Sequence, residues 1–319
     1  MDQTQAMYNE TQQQAYFNML FYVGSIIQYS LALLTNLVIF ILLFRTRTEY
    51  RTLGFSFILV LAISDFSNAL HRIPLALFDM GAIVESNLED NGTELLAWFC
   101  PLTSLLTVLA PFMAALSATL LSVERYYHVC LSRPLPKGVG WTIFFAIAGL
   151  FLIPTLGSSV TIHIILSSRV HDGGPVCFPP MDGWRLARNH MYYLTLSLLL
   201  IVLAFCYINI FLTTKRNIIN TNGSTVTKQV GIRVFVFLGL YLCCYIPMIL
   251  TYALHTNSFP DSIPLQFIAL VFNGFISLID PILVLLLHRR YHNEFLLLLN
   301  HFRLTRYLFG HTIQKSIAH

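Results

Sequence analysis

The residues able to do chemistry in this chain are few, and they stand where charge is expensive. Asp65, Arg72 and Asp280 interrupt long apolar runs, and Glu124-Arg125-Tyr126 brings another such run to an abrupt end. An ionisable group near a bilayer centre is costly unless it is paired, solvated or protonated. The chemistry on offer is therefore ion pairing, the holding of a proton or cation, or recognition of a charged ligand. Arg72 lies seven positions beyond Asp65 on the same helical face, roughly 10.5 Å along the axis at 1.5 Å per residue. Side chains lean towards the helix N-terminus, which tips Arg72 back towards the Asp65 level. Two readings stay open: an internal salt bridge, or a counter-charge for an anionic or carbonyl-bearing ligand, with His71 adjacent. Arg125 also has two readings. It either snorkels to the headgroups, as a charge at the end of any span does, or serves a working site with its acidic neighbour.

The elements that must position these residues are membrane spans. Hydrophobic residues make up 56% of the 319, charged residues 11%, and the mean hydropathy is +0.67, against about 25% charged in a soluble domain. The chain reads as an integral membrane protein. Apolar runs long enough to cross fall at about 20–44, 53–80, 97–130, 139–165, 187–214, 229–255 and 263–287, each near the length of about 20 residues that a bilayer requires. Seven spans put the termini on opposite sides. Fifteen of the 19 basic residues fall in the loops after spans one, three and five, at the inner ends of the adjoining spans, or in the tail, so the positive-inside rule places the N-terminus outside. The sequons Asn9-Glu10-Thr11 and Asn91-Gly92-Thr93 agree, both lying on outer segments. Asn222-Gly223-Ser224 falls inside and is expected to stay unmodified.

Of the six cysteines, Cys206, Cys243 and Cys244 lie within spans and Cys130 at an inner end, leaving Cys100 and Cys177 on the oxidising side. A disulfide between them would pin the loop after span four across the outer mouth, the alternative being two unpaired external thiols. Residues 1–19 read as a polar, Gln-rich, disordered outer tail, 20–288 as a seven-helix domain, and 289–319 as an inner amphipathic helix with a short basic tail. The fold class is an all-α membrane protein, a seven-transmembrane helix bundle with a short amphipathic helix at the cytoplasmic surface.

Seven spans, an outer N-terminus, Cys100 opening the span that ends in Glu124-Arg125-Tyr126, Asn36, Leu61-Ala62-Ile63-Ser64-Asp65, Cys244-Tyr245-Ile246-Pro247 and Asp280-Pro281 stand in one order. That order resembles the rhodopsin-like family of G-protein-coupled receptors over nearly the whole chain. The resemblance implies an activation switch: Arg125 pairs with Glu124 at rest, and is released when span six swings outward and a G-protein α-subunit tail enters the inner cavity. Tyr207 matches the aromatic that packs near this arginine in the active form. Pro247 and Pro281 each remove a backbone hydrogen bond and let their spans flex, the plain alternative being a fixed kink. Tyr245 stands in place of the common Trp, Val284 in place of a tyrosine and Thr227 in place of an acid. The switch is thus expected to be less tightly latched than is usual. The resemblance further implies a sodium and water network around Asp65, for which span seven offers Ser277 and Asp280 and span three only Ala114. The two carboxyls would hold a sodium ion or share a proton, and the alternative is a structural hydrogen-bond knot.

Receptors of this kind bind ligands between the outer halves of their helices. The candidates are Arg72, Thr107, Val108, Pro111, Met191, Tyr192, Thr195, Met248, Ile249, Tyr252 and Asn273, any one of which can equally be a packing residue. Thr107 stands where amine receptors carry an Asp, so a cationic amine lacks its usual anchor. Retinal is not expected, because Lys137, Lys215, Lys228 and Lys315 are all cytoplasmic and Gly274 falls at the Schiff-base position of animal opsins. The expected partners are an extracellular ligand of unidentified chemistry, a heterotrimeric G protein and the lipid bilayer, without nucleic acid and with no cofactor beyond sodium. The rival from another class is an ion- or proton-coupled transporter using Asp65, Arg72 and Asp280; it predicts inverted repeats, and none is visible. No nucleophile and base pair or metal-ligand cluster suggests an enzyme.

Overall fold

The computed structural model describes residues 3–45, 52–84, 92–150, 183–220, 236, 238–247, 249–250, 263–287 and 289–301. Among them the regular structure is helical throughout, and no strand occurs. In chain order the helices are α1 (Gln3–Arg45), α2 (Leu53–Val84), α3 (Gly92–Cys130), α4 (Lys137–Leu150), α5 (Gly183–Asn220), α6 (Leu238–Pro247), α7 (Ile263–Leu287) and α8 (Arg289–His301). In lipid a helix is the element that satisfies its own backbone polar groups, so long apolar runs fold this way. Met19–Arg45, Leu53–Pro74 and Tyr193–Arg216 are long and apolar enough to cross a membrane.

The expected seventh span and the amphipathic helix after it coincide closely with α7 and α8. On α8, Tyr291 is buried against the bundle while Leu297 is exposed. The amino-terminal segment differs from expectation. Read as a disordered tail, it is instead the first part of α1, which starts at Gln3. Its Gln, Ala and Met residues are good helix formers, and no Gly or Pro precedes Gly24 to stop the helix propagating outward from the apolar run.

Among the described residues α2 packs on α1, α3 and α7, and its membrane window is 61% buried where those of α1 and α5 are 33% buried. Small residues line the seams, with Ala32 on α1, Ala62 and Ala69 on α2, and Ala114, Ala115 and Ala118 on α3, all buried. They let backbones approach where the hydrophobic effect between helices is absent. α4 joins through Trp141 and Phe144, whose ring centroids lie 5.8 and 6.1 Å from that of Phe57 on α2. α1 and α7 pack tightly at Gly274, where a Cβ would collide with the Gln28 side chain; Gln28 Nε2 donates to the Val271 carbonyl at 3.0 Å. α3 stops in a turn with Ser132 at φ 52°, where the Arg133 N–H closes back on the Tyr127 carbonyl at 3.1 Å.

Candidate functional site

Helical spacing collects the polar residues of three helices on one interior line. On α2, Asp65 and Asn68 are three apart; on α7, Asn273, Ser277 and Asp280 follow at intervals of four and three. Each set therefore occupies one face. All five are buried, as is Asn36 on α1. Asn68 Nδ2 donates to the Ser277 hydroxyl at 2.8 Å and lies 3.4 Å from Asn273 Oδ1. Asn36 Nδ2 donates to the carbonyls of Ala32 at 2.9 Å and Ser277 at 3.1 Å, fastening α1 to α7.

At the centre of this network the Asp65 carboxyl faces the Asp280 carboxyl, with the Ser277 hydroxyl against Asp65 and the Tyr241 hydroxyl of α6 against Asp280. The Asp280 oxygens are fully enclosed and have no well-aligned hydrogen bond among the described residues, although these groups crowd them. Two carboxylates side by side in low dielectric repel strongly, so the arrangement calls for one proton or one cation between them. A small void beside the pair is lined by Asn36, Ile58, Ala62, Pro281 and Val284, among others. Tyr241 stacks on Tyr245, with centroids 5.2 Å apart and planes at 25°. Both rings line a narrow crevice, with room for little more than one water, against Thr119 of α3 and Leu199 of α5. Thr119 Oγ1 itself lies 3.3 Å from the Leu199 carbonyl. One α6 face thus touches α3, α5 and the carboxyl pair.

At the end of α3, Glu124 is 8% exposed and its Oε1 accepts a hydrogen bond from the Gly54 N–H at 3.0 Å. Gly54 lies in the first turn of α2, whose N-terminus is also capped by Thr52, with Oγ1 3.3 Å from the Phe55 N–H. A helix N-terminus offers unpaired N–H groups and a positive dipole end, both favourable to a carboxylate. A Cβ at Gly54 would run into the Glu124 carboxylate, which would have to shift. The sequence expectation gave Glu124 to Arg125; the hydrogen bond in the structure is with the α2 backbone. Arg125 lies close enough to the Tyr207 hydroxyl to act on it electrostatically, and Tyr207 is buried on α5. Tyr126 packs its ring 6.1 Å from that of Phe205.

Residues 35–283, most of the chain, match the sequence pattern of the family described as 7 transmembrane receptor (rhodopsin family). The chain belongs to that family. A comparison with individually curated proteins gave no match. This rhodopsin-family receptor is a multi-pass membrane protein.

The receptor brings together part of what its sequence pointed to. Asp65, Ser277 and Asp280 converge as expected, and Tyr207 lies near Arg125. Pro281 sits inside α7, and Pro247 is helical on α6, with residues 249–250 helical beyond it. Arg72 is buried, and the groups acting on Asp65 are Asp280 and Ser277, so of its two open readings the salt bridge with Asp65 finds no support in the contacts described. Of the ligand candidates, Asn273 is buried in the polar network, Pro111 is buried on α3, and Thr195 and Ile249 are half-buried. Thr107, Val108, Met191 and Tyr192 have described backbone on α3 and α5, as do Cys100 on α3 and Asn9 on α1; their side chains lie outside the description. Met248, Tyr252, Cys177, Asn91 and Thr227 lie outside the described residues.

Three participants escaped the sequence reading: Asn68, Tyr241 and Gly54. Asn68 carried a usable signal, being a polar residue one turn from Asp65 in an apolar run. Tyr241 and Gly54 carried none, since their roles depend on what a second helix places opposite them.

Proposed function

We propose that this receptor converts binding of an extracellular ligand into activation of a heterotrimeric G protein. The observation that carries the reading is the α6 face on which Tyr241 meets Asp280 and Asp65 while stacking on Tyr245. A shift of α6 that separates Tyr241 from Asp280 changes the environment of the carboxyl pair. A ligand that fits the shifted bundle better draws the equilibrium towards it. At the inner end the same movement opens space beside Arg125 and Tyr207 for the tail of a G-protein α-subunit. Arg125 is the contact for that partner, with Glu124, Tyr126 and Tyr207 holding its surroundings.

In this reading the receptor resides in the plasma membrane with its N-terminus outside and its C-terminus in the cytoplasm. Cys100 and Cys177 form the outer disulfide, and Asn9 and Asn91 accept glycans. The Asp65–Asp280 pair, with Ser277, holds a sodium ion or a shared proton that biases the resting state. The ligand enters between the outer halves of α2, α3, α5, α6 and α7. Family membership supports a receptor over a transporter built on Asp65, Arg72 and Asp280.

The deciding experiment is agonist-independent nucleotide exchange on a panel of G proteins, comparing the intact chain with Arg125→Ala at equal surface expression. Exchange with at least one G protein that falls in the variant is the expected result. No difference with any of them would count against the reading.

A further inference from the structure

We propose that Arg72 is the anchor for a carboxylate-bearing ligand, received where α1, α2 and α7 come together beside it. The proposal rests on the receptor reading and names the chemistry of the ligand. Arg72 is 5% exposed, and its Nε is enclosed without a hydrogen-bond partner among the described residues. A guanidinium keeps its charge under all ordinary conditions, so it cannot relieve its burial by losing a proton. Left without a counter-charge, a buried cation is strongly destabilising.

The surroundings lack a counter-charge among the described residues. Asp65, two turns deeper, is engaged by Asp280 and Ser277. His71, the adjacent residue, has its Nδ1 2.8 Å from the Ser67 carbonyl, which makes Nδ1 the donor and leaves Nε2 as the second ring nitrogen. The remaining neighbour is Tyr29 of α1, whose hydroxyl lies within the electrostatic reach of Arg72. Tyr29 packs with Ala32 and Ala69, with Leu278 of α7 against them, so small and apolar side chains adjoin the cation. On the inner side the amides of Asn68 and Asn273 are turned towards each other and Ser277. The site offers a planar two-pronged donor and a phenol, bounded by apolar side chains. That set matches a carboxylate carried on an apolar body, since Arg binds carboxylates through two parallel hydrogen bonds. It does not match an amine, which would add a second cation.

The first test needs no ligand. In detergent, purified receptor with Arg72→Met is expected to melt about 2 °C or more above the parent, because an uncompensated charge has been removed. A lower melting point would mean that Arg72 is paired internally and would overturn the proposal. Arg72→Gln, which keeps polarity without charge, is measured alongside; failure of both variants to fold counts as lost stability and overturns the proposal in the same way.

The second test uses matched probes at millimolar concentration: benzoate and benzamide, decanoate and decanamide, and the tripeptide acetyl-Phe-Phe-Leu with a free or amidated C-terminus. At least one acid should raise the parent's midpoint by about 2 °C while its amide does not, and Arg72→Met should erase the difference. A response confined to the small acids identifies a small organic acid as the ligand source, and one confined to the free peptide identifies a peptide C-terminus. Equal effects of acid and amide in all three pairs, or a shift that survives in Arg72→Met, would refute the proposal. Neither test involves a G protein, so its outcome is independent of the nucleotide-exchange experiment on Arg125.

Discussion

Replacing Gly54 by Ala should destabilise this receptor even though the change improves helix propensity. The new Cβ would occupy space held by the Glu124 carboxylate and force it off the Gly54 N–H, to which it now accepts at 3.0 Å. A hydrogen bond to a charged group is worth about 1.5–3 kcal/mol. A carboxylate at a partly buried helix N-terminus adds roughly 0.3–2 kcal/mol, and some of this is the same interaction counted again. Against these stands a gain of about 0.5–1 kcal/mol for Ala over Gly in a helix. The net expectation is a loss of about 1–2 kcal/mol, read as a fall of roughly 2–4 °C in the midpoint of thermal inactivation of detergent-solubilised receptor. The decisive control repeats the change in a Glu124→Ala background. With the carboxylate gone there is nothing to collide with, and Gly54→Ala should then be neutral or stabilising by about 0.5–1 kcal/mol. The change of sign between backgrounds measures the coupling. If Gly54→Ala stabilises the parent, or has the same effect in both backgrounds, Glu124 does not rely on the α2 N-terminus and the reasoning fails.

Two further outcomes concern the carboxyl pair. Tyr241→Phe removes the α6 hydroxyl from Asp280 while keeping the ring stack on Tyr245; agonist-independent nucleotide exchange should change about threefold or more, at a loss of about 1 kcal/mol in the hydroxyl's interaction. The same substitution on Asp280→Asn should have a clearly different effect, and strict additivity would show that the contact is idle. Exchanging sodium chloride for choline chloride at constant ionic strength should lower the inactivation midpoint of the parent by about 2 °C if sodium sits between the carboxyls. Asp65→Asn should lose that dependence, and an equal sodium effect in parent and variant would leave the shared proton as the reading.

What the sequence disclosed and what it withheld follow from where each signal resides. Asp65 and Asp280 were conspicuous because a carboxyl in an apolar run violates the local pattern, and their convergence followed once the order of the spans was known. α7 and α8 were legible to within a residue or two, since an apolar run meets Arg289-Arg290 at a sharp boundary. Tyr241 read as one more aromatic in a span, because nothing in a linear pattern says that its hydroxyl points at a residue on another helix. Gly54 looked like a residue near a helix start, and only the Glu124 carboxylate opposite it explains why a side chain is excluded. Arg72 was visible as an anomaly, but periodicity alone left Asp65 and a ligand as equally open partners. The structure gives Asp65 to α7 instead. The helical character of residues 3–18 was hidden by their polarity, which signals exposure rather than absence of regular structure.

The length of α1 changes the outline that the receptor presents to its surroundings. The apolar run that reads as the first span begins at about residue 20 while the helix begins at Gln3, so about 25 Å of rod precedes the span at 1.5 Å per residue. In the orientation proposed above, Asn9 stands about 16 Å above the start of that span. A glycan there would be carried at a set height on a stiff post and not on a tether. It would shade one side of the ligand entrance, next to α2 and α7, and leave the approach over α3 and α5 open. Large ligands would then meet the receptor preferentially from that open side.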